Sequence, residues 1–198
     1  MPRLVENTRA RRRRVLIDAG WSCLARTRCR DLRVDDICHE AGVSKGAFYG
    51  YFPHKQTFLL ALVQDDAERG EETMLRLQAA PMRAGERLQA FAYAMLQRAQ
   101  EPGRVQLAAD IWSGMQADAT MRRLLVAVTA RRRDRLRSWL EVGIADGELL
   151  EAPANALASL VLALGDGLTM HAGLDPQAFR WDNIRRALDI LLSALQPA

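Results

Sequence analysis

The sequence predicts an all-α protein, and three observations predict it. Apolar residues recur at helical spacing along the whole chain, and no stretch rich in Val, Ile and Thr alternates with period two. Proline and glycine stand where helices begin and end, at Pro53, Pro81, Pro102-Gly103, Gly147, Pro153 and Pro176. The chain has 198 residues, 49% hydrophobic and 26% charged, enough to bury a core of ordinary soluble composition. No internal repeat or low-complexity tract interrupts it.

The elements follow in order. In the first helix Thr8 is the expected cap, and Leu16, Ala19, Gly20, Cys23 and Leu24 fall at i, i+3, i+4, i+7 and i+8. Arg11 to Arg14 cannot share one face at 100° per residue, so some point away from the core. A short helix from Val34 to Ala41 puts Val34, Ile37, Cys38 and Ala41 on one side. Gly42 suits a left-handed C-terminal position. Ser44 is a good N-cap for a second short helix through about Tyr51, and Pro53 closes the unit. Longer helices are expected from His54 or Lys55 to about Ala79, Ala84 to about Gln100, and Val105 to about Met115. Others run from Ala119 to about Ile144, Pro153 to His171, and Pro176 to about Leu195. That makes about nine helices, with a boundary between residues 1–54 and 55–198.

Charge divides the chain at the same place. Residues 1–60 carry twelve Lys and Arg against six Asp and Glu, while the remainder holds 16 against 18. A basic head on a near-neutral body points to a polyanion partner for the head, although a solvated charged face would read the same way. Cys23, Cys29 and Cys38 form no CxxC pair and have only His39 nearby, so no metal site is expected and they serve as small apolar side chains. The longest apolar run, Leu157 to Leu164, falls short of a membrane span, and the basic N-terminus lacks the pattern of a signal peptide. A cytoplasmic protein with no membrane partner is the expectation.

The stretch "AGVSKGAFYGYFPHK", Ala41 to Lys55, concentrates four rings in a chain that is 6% aromatic. Two short helices joined through Gly42 make a helix-turn-helix signature, whose second helix enters the DNA major groove. Lys45 and Gly46 lie in its first turn, where backbone N–H groups favour phosphate. Gly46 and Ala47 are small enough for close approach. Phe48 and Phe52, at i and i+4, are expected to pack inward against Ile37 and Leu16. Tyr49 and Tyr51 lie on other faces with hydroxyls free for phosphates or bases, and Lys55 points its ammonium at the backbone.

The segment "VDDICHEAGVSKGAFYGYFPHKQTFLLALV", preceded by "VLIDAGWSCLA", resembles the DNA-binding region of the TetR family of bacterial transcriptional repressors. The match spans about residues 10 to 63 in one register. "LALGDGLTMHAGLDP", with Asp166-Gly167-Leu168, is similar to the C-terminal region of a subset of these regulators. The resemblance implies an Ω-like homodimer of all-α subunits, with a three-helix DNA-binding head, a body that binds a small-molecule inducer, and last helices paired as a four-helix bundle. It places Lys45, Ala47, Tyr49 and Tyr51 at DNA-facing positions of the second helix and Lys55 at a phosphate; with Arg33, Ser44 and Gly46, read from the residues themselves, these are the DNA-binding candidates. Arg28 stands where the family usually has Gly, Leu32 and Arg33 where it usually has a capping Thr or Ser, and Gly50 where it usually has a larger residue. Arg33 is therefore the candidate replacement for a phosphate contact.

Competing functions have less support. The three histidines are scattered, Asp166 and His171 are five apart on a helix, and there is no nucleophile elbow, P-loop or HExxH, so no enzyme and no cofactor are expected. A ligand-free architectural DNA binder would not need about 140 residues of helical body. Pockets in helical bundles are mostly apolar with a few polar groups. The candidates here are Phe91, Tyr93, Met95, Asp110, Trp112, Met115, Trp139, Met170 and His171, each of which reads as plain core before it reads as a ligand contact. Leu157, Leu160, Val161, Leu164 and Leu168 form one stripe, and Ile184, Leu188, Leu191, Leu192 and Leu195 another. Both are apolar over more than one face, as a two-fold helical interface requires.

Overall fold

The computed structural model describes residues 2–114, 118–177 and 179–197. Among them are nine α-helices and no strand: α1 (Pro2–Leu24), α2 (Val34–Ala41), α3 (Lys45–Tyr51), α4 (Lys55–Ala79), α5 (Ala84–Ala99), α6 (Arg104–Gly114), α7 (Ala119–Ala145), α8 (Ala154–Leu174) and α9 (Trp181–Ser193). Helices α1 to α3 form the head, α5 to α9 the body, and α4 runs from one into the other.

The buried residues fall into two clusters. In the head, the stripe Leu16, Ala19, Cys23 and Leu24 of α1 meets Ile37 and Cys38 of α2, Phe48 of α3, and Phe58 and Leu62 of α4. All three cysteines are free thiols buried there, as the apolar reading expects. The cluster also takes in Leu107 of α6, so head and body share a seam rather than meeting through a bare linker. Gly103 presses on the end of α1: a Cβ there would stand 2.9 Å from Leu24 Cβ. The body cluster is built around Met74, Leu88, Phe91, Leu136, Trp139, Leu140 and Leu188.

Three boundaries differ from expectation. Helix α1 begins at Pro2, so Thr8 lies inside it and is no cap. Proline is favoured in a first helical turn, and arginine is a good helix former, so nothing stops the helix between them. Helix α8 continues past His171 to Leu174. Gly173 there is a packing position, since a Cβ would lie 2.5 Å from Val105 Cγ1. The last helix starts at Trp181, not Pro176. Before it, Phe179 stacks edge-on to Trp181 with centroids 4.8 Å apart.

Helix α8 also corrects the membrane reading taken from uninterrupted runs. It is 21 residues long with a hydropathy of 1.4 over 18 residues, which is long and apolar enough to cross a membrane. Only 17% of that window is buried within the chain. Gly165, Asp166 and Thr169 end the run after Leu164 without lowering the average far.

Candidate functional site

The turn of the helix-turn-helix follows from three residues. Gly42 takes φ 65°, ψ 35° after α2, and its N–H reaches the carbonyls of Cys38 and His39. Val43 then returns to the Cys38 carbonyl at 3.0 Å. Ser44 Oγ accepts from the Ala47 N–H at 3.2 Å, the N-cap expected for α3. At the start of α2 Arg33 makes no side-chain cap, and its exposed guanidinium is left for another partner.

The aromatics divide by role. Phe48 is fully buried, with centroids 5.6 Å from Phe52 and 5.3 Å from Phe58. Tyr49 is 48% exposed, edge-on to Phe48, and Tyr51 is half-buried beneath Arg9. Lys45, Gly46 and Ala47 are exposed. A Cβ at Gly50 would meet nothing within 4 Å, so the intramolecular packing does not require a glycine there. Lys45 pairs with Asp35 at 2.7 Å, and that hydrogen bond raises its ammonium above the ordinary range. Lys55 Nζ donates to the Arg30 carbonyl at 3.3 Å. Arg33 and Lys55 flank α3 in sequence.

Helix α4 is held from two sides at its middle by adjacent aspartates. Asp65 faces the head: Trp21 Nε1 donates to it at 2.7 Å, Arg69 lies 2.9 Å away, and Arg14 of α1 pairs with it. Asp66 faces the body, where Arg98 of α5 lies at 2.6 Å and Arg104 of α6 at 3.4 Å. Beyond Asp66 is a cavity of about 40 Å³ whose lining includes Arg98, Arg104, Arg132, Asp166 and Thr169. Phe91 and Met95 also line it. Burial pulls the Arg98 and Arg132 guanidinium groups below their usual range, with Asp66 opposing in each case. Desolvation pushes the Asp166 carboxyl up against the pull of Arg132 and Arg104, although the side chain keeps solvent contact.

The other ligand candidates lie elsewhere. Asp110 accepts the Cys29 N–H at 2.9 Å and so ties α6 to the loop after α1. Trp139 packs edge-on against Phe91 at 6.0 Å, and Tyr93 hydrogen-bonds Asp189 of α9. Met170 and His171 are on the outer surface of α8. The Trp112 side chain and Met115 lie outside the described residues. Sequence reasoning missed Asp66, Arg98, Arg104 and Arg132. The available signal was Asp166, a charge in the middle of an apolar helix, which needs partners on its neighbours. No group of His, Cys, Asp and Glu able to hold a metal occurs among the described residues.

On the dimer candidates, Leu160 and Leu164 are exposed along α8 and Leu191 on α9, joined by Leu174 and Ile190. Leu157, Val161, Leu168, Ile184 and Leu195 are half-buried. Leu188 and Leu192 are buried in the chain's own core, because α9 turns that stripe onto α5.

A capped, solvent-facing second helix on a basic head, joined to a helical body with a cavity, defines a helix-turn-helix transcription regulator. Residues 16–62 match the model of the bacterial regulatory proteins of the TetR family, and residues 84–197 match that of the C-terminal region of BetI-type transcriptional repressors. The chain belongs to the TetR family of transcriptional regulators. No curated protein matches the sequence. Among solved structures, a TetR transcription regulator from Haloarcula marismortui superposes with a TM-score of 0.84 at 17% identity, over 95% of this chain and 100% of that one. A transcriptional regulator from Saccharomonospora viridis in complex with choline gives 0.81 at 20% identity, over 93% and 96%. The regulatory protein TetR from Rhodobacter sphaeroides gives 0.76 at 24%, over 93% and 98%. At these identities the likenesses show the fold.

Proposed function

We propose that the protein is a cytoplasmic, ligand-responsive repressor that binds a near-palindromic operator as a homodimer and is released by a small-molecule inducer. Residues 1–54 serve as the DNA-binding domain and 55–198 as the ligand-binding and dimerisation domain. The carrying observation is the path of α4: it starts beside the recognition helix at Lys55, is held to α1 through Asp65, and is held to the cavity wall through Asp66. A ligand that moves the wall moves the head. The choline bound to the Saccharomonospora viridis protein supports small-molecule binding by this body architecture, without specifying a ligand here.

At the DNA, Ser44, Lys45, Gly46, Ala47, Tyr49 and Tyr51 read or line the groove, while Arg33 and Lys55 hold phosphates. The exposed apolar residues of α8 and α9 are covered by the same residues of a second copy, not by lipid. No catalytic step is assigned to the chain. Selection of bound duplexes from random DNA, followed by light scattering of the complex, tests this. The expected result is a two-fold site with half-sites about 34–36 Å apart, or a multiple of that, holding two protomers per two-fold unit. A monomer at micromolar concentration, or no sequence preference, would sink it.

A further inference from the structure

The charges around the body cavity do not balance. Three guanidinium groups, Arg98, Arg104 and Arg132, face two carboxylates, Asp66 and Asp166. Asp66 serves Arg98 and Arg104 together. Among the described residues no carboxylate lies within 4 Å of the Arg132 guanidinium. It is accommodated instead by Gly70 of α4, where a Cβ would stand 2.3 Å from its Nη2. Arg132 is half-buried, and Asp66, Asp166 and Glu71 act on it only from beyond ion-pair distance. A partly desolvated guanidinium with no close carboxylate is costly, and an arriving anion recovers part of that cost.

Arg104, Arg132, Asp66 and Asp166 also border a second space. The cavity of about 40 Å³, into which Arg98, Arg104 and Arg132 are brought among apolar walls, lies to one side, large enough for a carboxylate group and little more. On the other side is an open trough of about 390 Å³ between α6 and α7, lined by Leu107, Ile111, Leu125 and Val128 among others. Cationic head and apolar trough are contiguous, and a molecule filling both has an acid at one end and a hydrocarbon body at the other.

Resting on the repressor reading above, we propose that this site takes an amphipathic carboxylic acid whose carboxylate displaces Asp66 from Arg98 and Arg104 and so frees α4. Arginine binds a carboxylate through two parallel N–H···O bonds, and three such forks converge here. Asp66 is the intramolecular occupant that the ligand must replace. It stands one residue after Asp65, which grips the head, so its release is felt at the recognition helix.

Calorimetric titration of the full-length protein tests the proposal with three probes of equal chain length, below their micellar concentrations: decanoate, decan-1-ol and decyltrimethylammonium. Decanoate should bind about tenfold or more tightly than the alcohol, and the cation more weakly than either. Arg132→Gln should bring decanoate down to the level of the alcohol and leave the alcohol unchanged. Should that variant fold poorly, Gly70→Ala asks the same question by pushing the guanidinium aside. Asp66→Asn should raise decanoate affinity, because the competing carboxylate is gone, an effect that a merely structural role for Asp66 would not give. Equal affinity for acid and alcohol, preference for the cation, no decanoate binding at millimolar concentration, or lower decanoate affinity in Asp66→Asn would each overturn the site. Decanoate bound with unaltered operator affinity would overturn the displacement of Asp66 as a switch. The operator titration without any probe is a separate measurement: absence of specific binding there defeats the repressor reading and leaves the acid site standing.

Discussion

Around Phe48 the head closes four elements on three phenylalanine rings and aliphatic side chains. Around Arg132 the body does the opposite, admitting arginines, two carboxylates and an unfilled space between α4, α5, α6, α7 and α8. The head core is closed to solvent, Phe48 being fully buried, while Arg132 is half-buried and Asp166 exposed, and the two regions are built for different tasks. A reading head has to hold Ser44 to Tyr51 in one geometry, and a close-packed apolar core has one arrangement. A sensing body needs two arrangements of nearly equal free energy, and exchangeable ion pairs supply them. Helix α4 belongs to both regions, and its consecutive aspartates mark where one ends and the other begins.

The comparison breaks most severely at Phe48. Phe48→Ala should cost about 3–5 kcal/mol in urea unfolding and abolish operator binding, because Phe52 and Phe58 lose their common partner. A loss under about 1.5 kcal/mol would mean the head is not close-packed. Within the body, Leu136→Ala, fully buried, should cost about 3–4 kcal/mol, and Leu162→Ala, which borders the cavity, about 2 kcal/mol. Equal losses from paired melts would show that the cavity is filled.

Smaller effects sharpen the same contrast at the DNA end. Ser44→Ala removes the cap on α3 and should cost about 1 kcal/mol, with operator affinity falling alongside it. Lys55→Ala should weaken all sequences alike and flatten the salt dependence of binding by about one unit of slope. A change of preference at a single base would move Lys55 from phosphate to base contact. The smallest effect concerns Cys29, whose thiol burial pushes up to about 11. Its folded value lies above the unfolded one, so this contribution is complete below about pH 9 and lost as pH rises toward 11. Alkylation of the native protein at pH 8 should therefore spare Cys29, which mass spectrometry would read directly.

The head was legible because its determinants are local. Gly42 at positive φ, the Ser44 cap, and the inward Phe48 and Phe52 follow from spacing and from residues a turn apart. The body cavity was not legible, because its members come from five helices and look ordinary on each. In "ARRRDRLRS" Arg132 is one of five arginines, and the sequence read alone gives no reason to turn that one into the cavity. Asp110 carries a tie the sequence does not show: it accepts a backbone N–H 81 residues away in sequence, while also lining a cavity with Leu107 and Ile111.

The sequence by itself determined the all-α class, the helix-turn-helix and its caps, the buried thiols and the family. These rest on periodicity and short-range hydrogen bonding, whose energies are set within a few residues. Only the tertiary structure decided that α1 starts at Pro2, that Leu188 and Leu192 turn inward, and that Asp65 and Asp66 pull α4 in two directions. Which face of a helix is covered, and which charge is desolvated, depends on the neighbours that packing brings up, and those are fixed by the whole chain at once.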